Sequence, residues 1–378
     1  MAPLGRISWM GQVDAVLASV SDMLYSWGLM WLLIGAGIFF TVRTRGVQVR
    51  HTDAIAASVI GSRDGSHGGI TSFQAFAVGL ACRVGTGNIV GVALALILGG
   101  PGAVLWMWLV AILGTATAFS EATLAQLFKV RRPDGTFRGG PAYYISRGLG
   151  LPILGGVFAV VFLIANGLVM PMVQANAITA SLQGAGGLSP SLGAVLVVAL
   201  TAPVLLGGLR AMARVAEYLA PFMALAYLVL VLAILLTHPV QALEALTSII
   251  EGAFGLRQGL GGLAGGVTAA LLNGVRRGLF SNEAGLGGAA CAAGSATVSH
   301  PVQQGFIQAF GVVVDTLFVC TATALAILVA GADVLQPGAS AKESAGTLTQ
   351  DAIAHLVGEW SRWPMALLVV VLAYTTII

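Results

Sequence analysis

The sequence predicts an all-α integral membrane protein, on three observations. The 378 residues are 57% hydrophobic and only 9% charged, with a mean hydropathy of +0.92; soluble chains carry roughly 25% charged residues. Apolar runs recur at about the 20-residue length that a spanning helix needs. No alternating strand pattern appears, and lipid admits only helices or closed barrels, because every backbone N–H and C=O must bond within the protein. The net charge of +3 is small, and no basic run interleaves with aromatics, which argues against nucleic acid.

Taken in order, Ile7 to Val20 sets Trp9, Met10, Val13, Val16, Leu17 and Val20 on one helical face, and predicts a short helix on the membrane surface. Spans are predicted at Met23–Val42, Ser72–Leu98, Ala103–Phe128, Ile153–Leu182, Ser191–Gly208, Tyr218–Leu236, Gly262–Ser295 and Gly305–Ala330. A ninth begins at Trp363 and reaches Ile378 after 16 residues, short of a full span, so the sequence is expected to be incomplete at its C-terminus. Two outer stretches are amphipathic: Leu243, Leu246, Ile250 and Phe254 form one stripe, and Leu348, Ala352, Leu356 and Trp360 another. Both are expected as surface helices over an outer vestibule.

Charge sets the orientation. Basic residues cluster after the first span (Arg43, Arg45, Arg50, Arg63), the third (Lys129, Arg131, Arg132, Arg138, Arg147) and the fifth (Arg210, Arg214), and the intervening loops hold few. The positive-inside rule places these loops in the cytoplasm and the N-terminus outside. Cys82, Cys291 and Cys320 show neither CxxC nor zinc spacing and are expected to pack. His51, His67, His238, His300 and His355 are scattered and are expected in loops or interfaces.

Two spans carry residues that a continuous apolar helix would avoid. LACRVGTGNIVGVALALILGGPG (Leu80–Gly102) and LLNGVRRGLFSNEAGLGGAA (Leu271–Ala290) both place glycines and polar groups near mid-span. Four spans lie between them, so they run in opposite directions, as the broken helices of inverted repeats in secondary transporters do. An unwound turn in lipid costs roughly several kcal/mol per unsatisfied backbone group unless it lines a polar cavity. Gly85 and Gly87 let the backbone turn; N–H groups near Gly87 and Asn88 favour a carboxylate, and free carbonyls near Ala81 and Val84 suit a bare cation such as sodium. The competing reading is a packing face in which Gly87 and Gly91 let helices approach. A phosphate loop is excluded by the missing glycine and Gly-Lys-Ser/Thr.

VGTGNIVGVALALILGGPGAVLWMW, RGGPAYYISRGLG, VQANAI, NGVRRGLFSNEAGLGGAA and HPVQQGFIQAFGVVVDTLFVCTATA together resemble the alanine/glycine:cation symporter family, from about Phe73 to Thr323. That family belongs to the amino acid–polyamine–organocation superfamily and is similar in fold to the leucine-transporter group. The resemblance implies inverted five-helix repeats with broken first and sixth core helices and one extra N-terminal helix, the C-terminal helices being missing from this chain. It divides the chain into 1–71 (surface helix, extra helix and cytoplasmic loop), 72–236 (core helices 1–5) and 237–378 (core helices 6, 7 and part of 8). It implies uptake of alanine or glycine coupled to sodium or protons, in the inner membrane, with no cofactor beyond the co-transported ion.

By the same resemblance Thr86, Gly87, Asn88, Gln174, Phe280, Ser281, Asn282 and Gly285 surround the substrate, with Phe280 either walling the pocket or facing lipid. Gln174 follows Pro171, which frees the carbonyl of Gly167. For sodium, the carbonyls of Ala81 and Val84 are expected to join Thr375 and Thr376, all oxygen ligands; the alternative has these threonines bonding back to their own helix. Charges within spans are Arg83, Glu121, Arg276, Arg277, Glu283 and Asp315, with Arg83 or the Arg276–Arg277 pair expected to bridge to Glu283 or Asp315. A glutamate or aspartate here also has the chemistry to carry a coupling proton. A channel lined by the same glycines is the rival class; an intramembrane enzyme is disfavoured, because no catalytic set shares one depth.

Overall fold

The computed structural model describes residues 4–61, 69–255, 263–331, 333–335 and 345–378. Arg63 and His67, the start of the expected span at Gly262 and much of the 331–362 loop lie outside these residues. The first rod joins α1 (Leu4–Met23), a π-helical stretch (Leu24–Leu29) and α2 (Met30–Arg43). Dihedrals stay helical at both junctions, with φ −63°, ψ −49° at Met23 and φ −65°, ψ −41° at Leu29. The expected surface helix is therefore not a separate element; no residue between Val20 and Met30 breaks the backbone ladder. Two short helices follow, α3 (Val47–Arg50) and α4 (Thr52–Ile60).

α5 (Ser72–Arg83) opens on a capping box, with Gln74 N–H donating to Thr71 Oγ1 and Thr71 N–H to Gln74 Oε1. It stops at Arg83. The chain resumes in a π-helical turn (Gly87–Gly91) and α6 (Val92–Gly99), bent by 45° from α5. α7 (Ala103–Leu127) then leads to a small antiparallel hairpin, β1 (Val130–Arg131) with β2 (Phe137–Arg138), which the sequence reading did not anticipate. Asp134 sets its turn by accepting from Thr136 N–H (2.9 Å) and Oγ1 (2.6 Å), and these bonds hold its carboxyl below the usual range.

After α8 (Pro141–Tyr143), α9 (Pro152–Ile164), a π-helical turn (Ala165–Val169) and α10 (Met170–Gly186) form one 35-residue span. The π turn sits just before Pro171, whose missing N–H removes one rung of the ladder. α11 (Pro190–Leu206), α12 (Gly208–Thr237) and α13 (Pro239–Ala253) follow. The second interrupted region comprises α14 (Leu263–Asn282) and α15 (Gly288–Gly294). α16 (Pro301–Val312), a π-helical stretch (Val313–Cys320) and α17 (Thr321–Ala330) form another long rod; α18 (Leu348–Val357) and α19 (Arg362–Ile377) complete the described chain.

Among the described residues six helices are long and apolar enough to cross a membrane, or seven if the bent pair α5–α6 counts as one span. α11, at 17 residues, is shorter, and α14 carries Asn273, Arg276 and Arg277.

In lipid, helices gain little from apolar burial and associate by close packing of small residues. α14 lies on α7 in this way: a Cβ on Gly274 would come 2.2 Å from the Ala103 carbonyl, and one on Gly278 would come 3.2 Å from Met107 Cα. An apolar core, including Leu80, Ile89, Met107, Tyr227, Ile353 and Leu372, joins α5–α7 to α12, α18 and α19.

Close packing of small residues also sets the orientation of α13. Leu243, Ile250 and Phe254 are at least half exposed, and Ala245, Ile249 and Ala253 face the protein. The small face is needed because Gly252 meets Gly102 backbone to backbone, where a Cβ on Gly102 would stand 2.3 Å from Ala253 N. On α18, Leu348 and Ala352 are buried as expected, while Trp360 beyond it is exposed. The three cysteines are free. His300 caps α16, its Nδ1 accepting from Val302 N–H at 3.3 Å.

Candidate functional site

The first break is held by side chains. Val84 takes φ −81°, ψ 84°, which ends α5 and releases the next amides from the helix ladder. Asn88 Oδ1 accepts from Gly85 N–H at 3.0 Å, and Gln174 Oε1 from Thr86 N–H at 3.1 Å. Gly85 is required at this point: a Cβ there would stand 2.5 Å from Thr376 Oγ1 and 3.1 Å from Gln174 Oε1. The packing-face reading of the glycines is half met. A Cβ on Gly87 would touch Phe280 and Ser281 at 3.4–3.5 Å, whereas one on Gly91 would meet nothing.

The second break is made by the backbone. Glu283, Gly285 and Gly287 all take positive φ, at 52°, 97° and 96°. For glycine this is free; for Glu283 a left-handed conformation costs roughly 1–2 kcal/mol. Asn282 Oδ1 accepts from Ala284 N–H at 3.0 Å, which steadies the turn.

Two buried bridges join the breaks. Asp315 is the first. Its Oδ1 accepts from Asn88 Nδ2 at 2.6 Å, and its Oδ2 from Ser281 Oγ at 2.9 Å and Thr316 Oγ1 at 2.6 Å. Cys320 Sγ lies 3.3 Å from Asn88 Nδ2 and 3.1 Å from Ser281 Oγ. Arg83 is the second: its Nε donates to the Asn282 carbonyl and one terminal nitrogen to Gln308 Oε1, both at 2.9 Å. Gln308 is itself anchored, its Nε2 donating to the Ala75 carbonyl at 3.1 Å.

Three side-chain atoms around the breaks are buried with no hydrogen-bond partner: Thr86 Oγ1, Asn282 Nδ2 and Glu283 Oε2. Native proteins leave few such atoms, and each calls for an explanation. An incoming ligand with an acceptor for Asn282 and a cation for Glu283 would satisfy them.

The fold therefore brings together Thr86, Gly87, Asn88, Gln174, Phe280, Ser281 and Asn282. Gly285 does not join them. It is exposed, and its N–H donates to Glu121 Oε2 at 2.8 Å on α7, because the turn at Glu283 carries it away from Asn88. At the expected cation position Thr376 Oγ1 donates to the Ala81 carbonyl at 2.7 Å and also lies 3.1 Å from the Leu372 carbonyl of its own helix. Thr375 Oγ1 bonds back to Leu372 alone, at 2.9 Å.

The expected gate pairs do not form. Arg83 is taken up by the Asn282 carbonyl and Gln308, and makes no ion pair among the described residues. Arg276 reaches Asp22 (2.8 Å) and Ser26 (2.5 Å) on the first rod, because it projects from the α14 face that packs there. Arg277 makes no hydrogen bond or ion pair among the described residues. The sequence reading did not assign Gln308, Thr316 or Cys320 to the site. Gln304 and Gln308, one helical turn apart in an apolar rod, were the available signal, since both are fully buried.

The sequence pattern of the sodium:alanine symporter family matches residues 10–378. The chain belongs to the sodium:alanine symporter family. Among relatives in this family, the probable sodium/glutamine symporter GlnT of Bacillus subtilis is 40% identical over 367 residues, 97% of this chain and 75% of that protein. The putative sodium/proton-dependent alanine carrier YrbD of the same organism is 45% identical over 315 residues, 83% of this chain and 64% of YrbD. The sodium/alanine symporter AgcS of Methanococcus maripaludis is 39% identical over 316 residues, 81% of this chain and 69% of AgcS. The chain thus spans 64–75% of the length of these three relatives. Membership of the symporter family places it among transporters of amino acids and cations, not among enzymes.

Proposed function

We propose that this protein is a sodium-coupled symporter that carries a small neutral amino acid, alanine or glycine, into the cell across the inner membrane. The observation that carries this reading is the pair of breaks joined through Asp315 and Arg83, with Thr86 Oγ1 and Asn282 Nδ2 left unpaired between them. The amino acid's carboxylate is read as accepting from Asn282 Nδ2 and Thr86 Oγ1. The Phe280 ring beside Gly87 limits the side chain. Sodium is assigned to the carbonyls of Ala81 and Val84 with Thr376, whose hydroxyl rests on Ala81. Thr375 has the weaker claim, being bonded to its own helix.

In this reading residues 72–236 and 237–378 are inverted repeats, the N-terminus lies outside and the basic loops lie in the cytoplasm. One elementary charge moved inward through 100 mV supplies about 2.3 kcal/mol, roughly a fiftyfold accumulation of the amino acid. Uptake of radiolabelled alanine into proteoliposomes, with a sodium gradient and then with only a proton gradient, tests the proposal in the full-length protein. Saturable uptake that requires sodium supports it. Uptake driven by protons alone overturns the choice of ion, and ohmic flux without saturation overturns the symporter.

A further inference from the structure

Glu283 is unexplained by the site described above. Its side chain is only 4% exposed. Oε2 is buried without a hydrogen-bond partner, and Glu283 forms no ion pair among the described residues. A buried carboxylate is ordinarily paired or bound to a cation. The nearest guanidinium candidate, Arg83, is committed to the Asn282 carbonyl and Gln308.

The residue is also held in a left-handed conformation (φ 52°) that glycine would adopt without strain. Strain retained at one residue points to a role for its side chain. Glycine is needed beside it to admit the carboxylate, since a Cβ on Gly288 would stand 2.9 Å from Oε2.

Glu283 is among the residues that line a cavity of about 400 Å³, together with Cys82, Asn166, Ser295 and Thr376. Leu209 and Ser295 of this cavity also line a second one, of about 580 Å³, where Arg132, Arg138 and Arg210 outnumber the single carboxylate of Asp134. The cavity thus leads from Thr376 toward the side of the basic loops.

We propose that Glu283 is a holding point for a monovalent cation, the sodium ion or the ammonium end of the amino acid, in the cavity between the two breaks and the basic-loop face. The inference rests on the symporter reading and adds a second station to it. An occupant leaving Thr376 would meet a carboxylate before reaching the arginines at the far end. The arginines repel a cation, so Glu283 lowers the step between the central site and the exit.

Glu283→Gln and Glu283→Asp in the full-length protein test this, with thermal melting to confirm folding. The first expected result is a roughly tenfold fall in net alanine uptake for Glu283→Gln, with partial recovery in Glu283→Asp. If sodium is the occupant, binding of radioactive sodium without amino acid weakens about tenfold in Glu283→Gln. If the ammonium is the occupant, sodium binding stays within twofold, and inhibition of uptake by alanine loaded inside the vesicles weakens about tenfold. A folded Glu283→Gln protein with wild-type uptake overturns the inference and leaves the symporter reading standing. So does a Glu283→Gly protein that melts higher and transports as well as wild type, because Glu283 would then be strain without use. Absence of coupled uptake in the wild-type protein removes both.

Discussion

The two breaks solve the same problem by opposite means. At Arg83–Gly87 the released amides are closed off by side chains, Asn88 on Gly85 N–H and Gln174 on Thr86 N–H. At Asn282–Gly287 three positive φ angles make the turn, and Asn282 Nδ2 and Glu283 Oε2 keep open valences. The first break is a polar network with its amides satisfied and only Thr86 Oγ1 open, and the second a strained turn with two unused groups. Networks of buried hydrogen bonds rigidify when satisfied, and unsatisfied groups are where a ligand gains most. The contrast teaches that substrate recognition is weighted to the second break and mechanical support to the first.

The largest expected effect tests the support. Asp315→Ala removes the carboxylate acceptor of Asn88, Ser281 and Thr316, leaving Asn88 the 315 carbonyl at 3.2 Å; a buried donor left unpaired costs roughly 1–3 kcal/mol. We expect uptake to fall more than about a hundredfold and melting in detergent to drop together with it. Next, Asn282→Ala removes a free donor and a single steadying bond. Half-saturation for alanine should rise about tenfold or more, at a stability cost of only about 1 kcal/mol. The reverse pattern, a large melting shift with unchanged affinity, would break the comparison. Gln174→Ala, at the closed break, should cost about 1–2 kcal/mol of stability and reduce the maximal rate more than the affinity.

Thr376→Val sharpens the cation assignment, with half-saturating sodium rising about tenfold; Thr375→Val should shift it less than threefold, since its hydroxyl only bonds back. The smallest effect belongs to Arg276→Ala. Its partner Asp22 is largely exposed, so losing the pair should cost at most about 1 kcal/mol and leave sodium dependence unchanged.

Much of this was legible in the sequence. Composition alone announced the membrane, and glycines with asparagines at mid-span located both breaks, because nothing else tolerates such residues there. What sequence could not supply was direction. Gly285 reads as one more site glycine, yet the turn at Glu283 sends it to Glu121. Arg276 and Arg83 look interchangeable on paper, but helix faces send one to the first rod and the other between the breaks. Leu243, Ile250 and Phe254 read as the stripe of a surface helix, without saying which way it faces; the large residues face outward while Ala245, Ile249 and Ala253 face in. Cys320 gave no signal of its own, since its role arises only from the neighbours that folding brings to it.

The 45° bend makes α5 a lever. Its 12 residues are about 18 Å long at 1.5 Å per residue, so a pivot of about 10° near Val84 sweeps its capped end through about 3 Å. Beside the alanine packing of Ala75 and Ala77 on Ala213 and Ala216, a side-chain hydrogen bond latches that end to α12, Gln74 Nε2 on Glu217 Oε2 at 2.9 Å. A displacement of that size exceeds the reach of a hydrogen bond, so even a slight swing of the arm must unfasten the latch.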